Sequence, residues 1–372
     1  MKVVMTGGGT AGHVNPALSI AGIIKKYEPD SEIEFIGTEK GLENRLVPRS
    51  GYKMHKIEVM GLARSLSPKN IKAAILAYTS YQKCKKILAE VNPDVVIGTG
   101  GYVSWPVVRA AASMGIPCAL HEANAVPGFA VKMLRNKANV VFVNFEETGE
   151  ILDSKKAEVI HTGMPINSLF RTIDRDEARK KLGIEGNYKY AILSFGGSLG
   201  AQRLNEAIVG FMDSYVSKHP EICHIHSAGS RGYEETMKAF TVRGLDKCPN
   251  CKVVEYIYDM PYQMLASDVV ICRSGASTLA ELAAIGKPSV LVPSPNVTNN
   301  QQYKNAKLLV DKNAALMVTD DEMTPDILEE NISKLFSDSD ALQKMSANVR
   351  KFAVDDGDEI IYKKIKELSG RQ

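Results

Sequence analysis

The sequence predicts an α/β protein built from two Rossmann-like domains, each with a parallel sheet. Apolar, β-branched runs alternate with helical patterns along the chain, which is typical of strands buried on both faces. A unit of strand, glycine loop and helix at residues 3–20 recurs at 191–208, about 190 residues later. We therefore expect two sheets whose glycine loops face an interdomain cleft, where the ligand should bind.

The predicted domains cover residues 1–163 and 164–349. The hinge is placed at HTGMPIN (161–167), where a strand ends in Gly-Met-Pro before a new helix. A last helical segment, about 350–372, could pack back on the first domain. Predicted strands of the first domain are 2–6, 32–37, 94–98, 117–121, 139–144 and 158–161; those of the second are 189–195, 222–227, 252–255, 268–273 and 289–293.

The composition is that of an ordinary globular protein, with 44% hydrophobic and 24% charged residues among 372. The N-terminus has no signal-peptide pattern, and no apolar stretch approaches the length of a membrane span. Six scattered cysteines fit a reduced cytoplasmic protein better than a disulfide scaffold. The pair Cys248 and Cys251 has no partner pair to complete a zinc site, and DDGDE (355–359) is interpreted as solvated charge.

One segment, 53–86, concentrates positive charge: it holds eight lysines and arginines against one acid, Glu58. It also carries apolar residues at helical spacing, among them Ile71, Ile75 and Tyr78. Lysines beside an apolar stripe suit a helix lying on an anionic membrane. The alternative is a core-facing helix with a solvated lysine edge, which is common.

The first glycine loop, TGGGTAGHVNP (6–16), fits the dinucleotide pattern G-x-G-x-x-G. An oxidoreductase with NAD(P) is therefore one alternative. However, the acid expected at the end of the second strand, about 20 residues on, is not in place, since Glu39 lies 27 residues past Gly12, beyond Gly37-Thr38. His13 stands where the helix begins, and a histidine at that point can act as a general base. Otherwise it is a helix-entry histidine bonded to backbone.

Two further motifs of the first domain follow predicted strands. Gly100-Gly101-Tyr102 is predicted to form a turn, followed by Ser104 as the N-cap of a helix. In GIPCALHEANAVPG (115–128), His121, Glu122 and Asn124 cluster where a strand should end. Polar groups at that edge of a parallel sheet favour a ligand site over a core, although their spacing does not suit a metal.

In the second domain, FGGSLGAQRLNEA (195–207) offers a glycine turn, Ser198 and a helix N-terminus to a diphosphate. It lacks the Gly-Lys-Ser/Thr of a Walker A loop. In CRSGASTLAELAAIGKP (272–288), Glu281 either complements the helix dipole or grips two ribose hydroxyls. The amide-rich loop 296–306 suits sugar hydroxyls or a pyrimidine edge.

Taken in order, GGGTAGHVNPAL, GGYVS, GIPCALHEAN, FGGSLGAQRLN, EYIYDM, CRSGASTLAEL and QQYKNA resemble the MurG family of glycosyltransferases over nearly the whole chain. The resemblance implies the GT-B fold. It also implies transfer of N-acetylglucosamine (GlcNAc) from UDP-GlcNAc to the C4 hydroxyl of MurNAc in lipid I, the undecaprenyl-pyrophosphoryl pentapeptide, to form lipid II for peptidoglycan. A UDP-GlcNAc epimerase or another nucleotide-sugar enzyme of the same fold is the alternative.

The resemblance implies roles for individual residues. Acceptor-side, catalytic roles fall to His13, Tyr102 and Glu122. Donor contacts fall to Thr10, Ala11, Gly12, Asn124, Ser198, Ile257, Ala276, Ser277, Thr278, Leu279, Ala280, Glu281, Gln301 and Gln302.

The implied mechanism is an inverting displacement at the anomeric carbon, with His13 or Glu122 taking the acceptor proton. Helix N-termini and Ser198 would stabilise the departing UDP in place of a metal, so neither cofactor nor metal is expected. The resemblance also favours docking of segment 53–86 on anionic lipid. The enzyme would then be peripheral on the cytoplasmic face of the cell membrane, with no nucleic-acid partner.

Overall fold

The computed structural model describes residues 1–60, 68–184 and 186–370 and divides the chain into two compact units. Unit 1 comprises Met1–Pro165 together with Val354–Gln372, and unit 2 comprises Ile166–Ala353. The sequence places the boundary after residue 163, and the structure places it after residue 165.

Unit 1 contains a seven-stranded parallel sheet in the order β3-β2-β1-β4-β5-β6-β7. Its strands are β1 (Lys2–Thr6), β2 (Glu32–Thr38), β3 (Lys53–Ile57), β4 (Val95–Gly98), β5 (Cys118–Glu122), β6 (Val140–Val143) and β7 (Glu158–His161). Its helices are α1 (Ala11–Tyr27), α2 (Glu43–Arg49), α3 (Pro68–Val91), α4 (Ser104–Ser113), α5 (Phe129–Leu134) and α6 (Glu146–Leu152), joined near the end of the chain by a helix at Gly357–Leu368.

Unit 2 contains a six-stranded parallel sheet in the order β10-β9-β8-β11-β12-β13. Its strands are β8 (Tyr190–Phe195), β9 (Ile222–Ser227), β10 (Cys251–Val254), β11 (Val269–Cys272), β12 (Ser289–Leu291) and β13 (Leu316–Met317). Its helices are α7 (Leu169–Thr172), α8 (Arg175–Lys181), α9 (Gln202–Ser214), α10 (Tyr233–Val242), α11 (Met260–Ala266), α12 (Ala276–Ala284), α13 (Gln301–Asp311), α14 (Pro325–Ser337) and α15 (Ser339–Arg350); the helix at Gly357–Leu368 is therefore α16.

Both faces of the unit 1 sheet are covered, which explains its continuous apolar strands. Val4 of β1 faces a core shared with α3 and α4, while its neighbours Val3 and Met5 face a second core with α1 and α16. From α16, Ile361 enters that second core, and Tyr362 stacks on Tyr27 with ring centroids 4.7 Å apart.

The chain order of the strands reverses at the middle of each sheet. In unit 1, β1 lies between β2 and β4; in unit 2, β8 lies between β9 and β11. Loops after such central strands form the ligand-binding switch point of open α/β sheets. Both glycine loops follow these strands.

The predicted α/β class, with two Rossmann-like domains and parallel sheets, is confirmed, and each predicted strand overlaps an observed one. The sequence prediction missed β3 and β13. Both are edge strands: β3 is largely polar, and β13 has only two residues.

Two further observations concern the chain as described. No helix is long and apolar enough to cross a membrane within residues 1–60, 68–184 and 186–370. All six cysteines are free thiols, and burial raises the pKa of Cys84 and Cys118 to about 12.

Candidate functional site

The first glycine loop joins β1 to α1 and packs directly on the loop after β4. A Cβ atom added to Gly101 would lie 2.3 Å from the Gly8 carbonyl oxygen, and one on Gly7 would lie 2.0 Å from Thr99 Oγ1. Only glycine therefore permits this approach. Thr10, the N-cap of α1, is exposed and makes no side-chain cap hydrogen bond, so first-turn N–H groups remain available to a ligand.

His13 lies in the first turn of α1. It is half-buried, and its ring lies against the loop after β4. A Cβ atom on Gly100 would lie 2.8 Å from His13 Nδ1, and the His13 carbonyl accepts a hydrogen bond of 2.6 Å from Thr99 Oγ1. Burial lowers the pKa of His13, and a hydrogen bond with the Thr99 backbone and the charge of Glu43 offset only part of this effect. The imidazole is therefore neutral at neutral pH and able to accept a proton.

Tyr102 belongs to the same loop pair. Its ring lies 3.3 Å from where a Gly9 Cβ would be, and the side chain is 41% exposed. The structure thus brings His13 and Tyr102 to adjacent loops of unit 1.

Glu122, at the end of β5, is buried and fully engaged by its own loop. Its Oε1 accepts hydrogen bonds of 3.0 Å from both the backbone N–H and the Nδ2 of Asn124, and its Oε2 accepts one of 2.7 Å from the Gly128 N–H. Burial nevertheless raises the pKa of Glu122. This carboxylate organises residues 122–128 and orients Asn124.

His121 points away from this loop. It is fully buried, its Nε2 lies 3.3 Å from the Gly163 carbonyl oxygen, and burial lowers its pKa to about 4. His121 is therefore a structural residue of unit 1, unlike the residues of the adjacent loop 122–128.

The second glycine loop, between β8 and α9, is equally constrained. Gly200 has φ of +82°, and a Cβ there would lie 2.0 Å from the Ala228 carbonyl oxygen. Ser198 is exposed on this loop, while its carbonyl accepts a hydrogen bond of 3.1 Å from the Ser230 N–H. The Ser198 hydroxyl is thus presented by a fixed backbone at the edge of the sheet.

The start of α12 presents a second helix N-terminus in unit 2. Its N-cap is Gly275, which has no side chain to cap the first-turn N–H groups. Ala276, Ser277, Thr278 and Ala280 are partly accessible, whereas Leu279 is buried and faces the core. If Leu279 contacts the donor, as predicted, it can therefore do so only through its backbone.

A cavity of about 530 Å³ opens between the second glycine loop and the start of α12. Its wall includes Gln302, whose Oε1 accepts a hydrogen bond of 2.8 Å from the Ser294 N–H. The cavity is lined by Phe195, Gly196, Gly197, Gly200, Ala201, Gln202, Arg203, Arg273, Gly275, Thr278, Ser294, Asn296, Gln302 and Asp320. Gln301, its neighbour at the start of α13, is half-buried.

Sequence reasoning missed the ion pair in the cavity wall, between Arg273 Nη1 and Asp320 Oδ1 at 2.6 Å. Arg273 also donates to the Val292 and Pro293 carbonyl oxygens, each at 3.2 Å. The only sequence signal was an arginine at the end of an apolar strand, since Asp320 lies far along the chain.

Ile257 and Glu281 lie outside this cavity wall. Ile257 is buried in the segment after β10, between the exposed Tyr256 and Tyr258, whose rings meet edge to face at 4.9 Å. Glu281 is half-buried on α12, and burial raises its pKa to about 7. Its carboxyl group therefore changes charge near neutral pH.

No group of three or more histidine, cysteine or acidic side chains able to hold a metal ion occurs within residues 1–60, 68–184 and 186–370. Helix N-termini, hydroxyls and amides are the groups that the described loops offer to an anionic ligand.

Family models match both units. The glycosyltransferase family 28 N-terminal domain matches residues 3–143, and the glycosyltransferase family 28 C-terminal domain matches residues 191–360.

Relatives match over the full length. The chain is 41% identical over 368 residues to the UDP-N-acetylglucosamine–N-acetylmuramyl-(pentapeptide) pyrophosphoryl-undecaprenol N-acetylglucosamine transferase of Acetivibrio thermocellus, covering 99% of this chain and 98% of that one. It is 40% identical to the protein of the same name from Ruminiclostridium cellulolyticum, covering 99% of this chain and 100% of that one.

Solved structures with the same architecture include the crystal structure of Acinetobacter baumannii MurG, with a TM-score of 0.79, 28% identity and coverage of 98% of this chain and 99% of that one. A putative UDP-N-acetylglucosamine 2-epimerase from Listeria monocytogenes gives a TM-score of 0.69 at 14% identity, covering 98% of this chain and 96% of that one. At that identity the second likeness concerns the fold alone.

Proposed function

Because the chain belongs to the MurG family of glycosyltransferases and has its GT-B fold, we propose that it transfers GlcNAc from UDP-GlcNAc to the MurNAc C4 hydroxyl of lipid I, forming lipid II. The observation that carries this proposal is the 41% identity over 99% of the chain to a transferase named for that donor and acceptor. The oxidoreductase alternative for the first glycine loop has no such support.

The proposed general base is His13. Its neutral ring can take the proton of the acceptor hydroxyl while the new bond forms at the anomeric carbon and the bond to UDP breaks, with inversion. The hydrogen bond with the Thr99 backbone orients the ring and leaves its other nitrogen as acceptor. Tyr102, on the adjoining loop, lies where it can contact the same acceptor.

Glu122 is the weaker candidate for the base, because both of its oxygens already accept hydrogen bonds from the loop 122–128. We assign it instead to the placement of Asn124, whose amide then contacts the donor sugar. Of the two alternatives, we therefore propose His13 as the base.

The donor is proposed to bind along the loops of unit 2, and Thr10, Ala11 and Gly12 stay donor contacts that the family resemblance predicts. Free N–H groups at the starts of α9 and α12, with Ser198, stabilise the negative charge that develops on the departing UDP. Glu281 grips the ribose, and the Ile257 segment, Gln301 and Gln302 are further proposed donor contacts.

The test is GlcNAc transfer from radiolabelled UDP-GlcNAc to a lipid I analogue, with and without EDTA. We expect labelled lipid only when the acceptor is present, and a rate unchanged within about twofold by EDTA, because helix N-termini act where a metal would. A 2-epimer formed from UDP-GlcNAc alone would contradict the proposal and favour an epimerase.

The membrane face is proposed on unit 1, at segment 53–86. In the described part of α3, Ile75 and Tyr78 are 59% and 65% exposed, and Lys83 and Lys86 are exposed one to two turns later. Residues 61–67, with Leu62, Ala63, Arg64 and Leu66, lie outside the described residues, as do the side chains of Lys69, Ile71 and Lys72.

The other side of α3 is ordinary core. Cys84 and Leu88 are fully buried against the unit 1 sheet, as the core-helix alternative predicts. The helix therefore combines a core face with an exposed apolar and basic face, and the latter suits an anionic bilayer that carries the polyprenyl acceptor.

Replacing Lys83, Lys85 and Lys86 with glutamine should weaken binding to vesicles containing anionic lipid by roughly 100-fold, because each lysine contributes about 1 kcal/mol. Flotation measures the bound fraction, with neutral phosphatidylcholine vesicles for comparison. The matched control replaces three exposed lysines of unit 2, Lys247, Lys252 and Lys344. Equal flotation of the two triple variants would count against docking through α3.

A further inference from the structure

A carboxylate that the sequence did not single out supports the first glycine loop from beneath. Glu43, the first residue of α2, is 1% exposed. Its Oε2 accepts a hydrogen bond of 2.9 Å from the Gly9 N–H. Its Oε1 accepts two from Thr38, of 3.0 Å from the N–H and 2.6 Å from Oγ1.

Three glycines from separate parts of unit 1 make the space for this side chain. A Cβ atom on Gly8 would lie 2.4 Å from Glu43 Oε1, one on Gly41 2.1 Å from Oε2, and one on Gly37 2.7 Å from Cγ. Any larger residue at these positions would displace the carboxylate. The site is therefore shaped around a carboxylate in this one position.

Gly9, whose N–H donates to Glu43, lies where the first glycine loop packs on the loop after β4. Gly9 has φ of +87°, a conformation that the hydrogen bond from its N–H helps to maintain. The Tyr102 ring packs on Gly9, and Gly101 packs on the carbonyl of Gly8. His13 follows one turn later and is tied to the same second loop through Thr99.

We propose that Glu43 is a positioning residue for the transfer reaction proposed above, on which this inference rests. Its carboxylate fixes the Gly7–Gly9 loop against the loop after β4 and thereby sets the places of His13 and Tyr102. It touches neither substrate, and it acts through the loop.

Glu43 also acts on His13 through its charge. The carboxylate raises the pKa of His13, against the larger, opposite effect of burial. Two ionisable side chains face this region in the described part of unit 1: Glu43 from α2 and Tyr102 from the loop after β4. Removing the charge of Glu43 should therefore lower the pKa of His13.

The experiment compares Glu43→Gln and Glu43→Asp with Glu39→Gln, an exposed acid four residues away, in the full chain. Glu43→Gln should lower kcat at least tenfold and move the acidic limb of the kcat/KM profile to lower pH. Glu43→Asp should keep the wild-type limb, because it keeps the charge, but should also lose kcat, because it is too short to reach Gly9. Glu39→Gln should match the wild type.

Hydrogen–deuterium exchange tests the loop without relying on activity. Peptides covering 6–16 and 99–104 should exchange faster in Glu43→Gln than in Glu39→Gln. The segment around Thr38, whose N–H Glu43 also binds, should do so too, while the rest of unit 1 exchanges as in the wild type. Faster exchange throughout unit 1 would overturn the proposal, because Glu43 would then stabilise the fold in general. Wild-type kcat with an unmoved acidic limb in Glu43→Gln would overturn it as well.

The two proposals fail in different ways. A wild-type protein that transfers no GlcNAc contradicts the proposed function, whereas the exchange of peptides 6–16 and 99–104 still reports whether Glu43 holds the loop. A wild-type protein that transfers GlcNAc, with a Glu43→Gln variant that is equally active, contradicts only the role of Glu43.

Discussion

Replacing His13 with alanine should lower kcat for GlcNAc transfer by about 10²–10⁴-fold at saturating donor and acceptor, the usual contribution of a positioned general base. The half-buried ring is neutral at neutral pH and is oriented by the Thr99 backbone, so no nearby water would replace it with the same geometry. Initial rates with a lipid I analogue measure the effect. His55→Gln, in the same unit but paired with Glu34, is the matched control.

Two measurements separate a base from a positioning group. Added imidazole should restore part of the rate of His13→Ala, because a small base can enter the space left by the ring. Glu122→Ala should also lower the rate, through a displaced Asn124, but no added base should restore it. If both alanine variants keep near-wild-type kcat, neither residue takes the proton.

Acidification below about pH 6.5 should destabilise both units through their buried histidines. Burial lowers the pKa of His121 in unit 1 and of His226 in unit 2 to about 4, and it also lowers the pKa of His224. The unfolded chain, with histidine pKa near 6.5, therefore binds more protons than the folded chain at pH 4–6.5. Stability is complete above about pH 6.5 and falls as the pH drops towards 4.

Each of His121 and His226 then accounts for about 3 kcal/mol of unfolding free energy by pH 4. Urea unfolding at several pH values between 7.5 and 4.5 measures this loss. His226→Gln should flatten the pH dependence of unit 2, whereas His219→Gln, at a partly exposed site, should leave it unchanged. Urea midpoints that stay constant from pH 7.5 to 5 would contradict the expectation.

The buried histidines of unit 2 form a hydrogen-bonded network that no sequence pattern predicted. Ser194 Oγ lies 2.7 Å from His224 Nε2 and 2.8 Å from His226 Nδ1, and His226 Nε2 lies 3.1 Å from Asn205 Oδ1. The alternation His-Ile-His in β9 is compatible with a half-exposed strand. Only the neighbouring strand and helix show that both rings are buried.

The central strands were predictable because burial on both faces makes them continuously apolar, whereas the edge strands β3 and β13 lack that signal. His13 could also be singled out from the sequence, because the dinucleotide pattern G-x-G-x-x-G gives no role to a histidine after its last glycine. Glu43 did not, because its environment is made by Gly8, Gly37 and Gly41, which come together only in the folded unit.

Glu122 shows a different limit of sequence reasoning. Its place at a strand end indicated a functional region, but two roles, base and positioning group, are compatible with that place. Hydrogen-bond partners distinguish them, and two of the three, the N–H groups of Asn124 and Gly128, belong to the backbone, which carries no residue-specific signal. The family resemblance indicated that Glu122 is functional, but it did not predict the hydrogen-bond partners of its carboxylate.

The packing of α16 on unit 1 has a consequence for the order of events during synthesis. Ile361 and Ile365 complete the core under α1, yet about 190 residues separate Pro165 from α16, a delay of roughly 10–40 s at ordinary translation rates. Unit 2 is continuous in sequence and can fold on the ribosome while unit 1 still lacks part of its core. The half of the protein that is made first is thus the last to be finished.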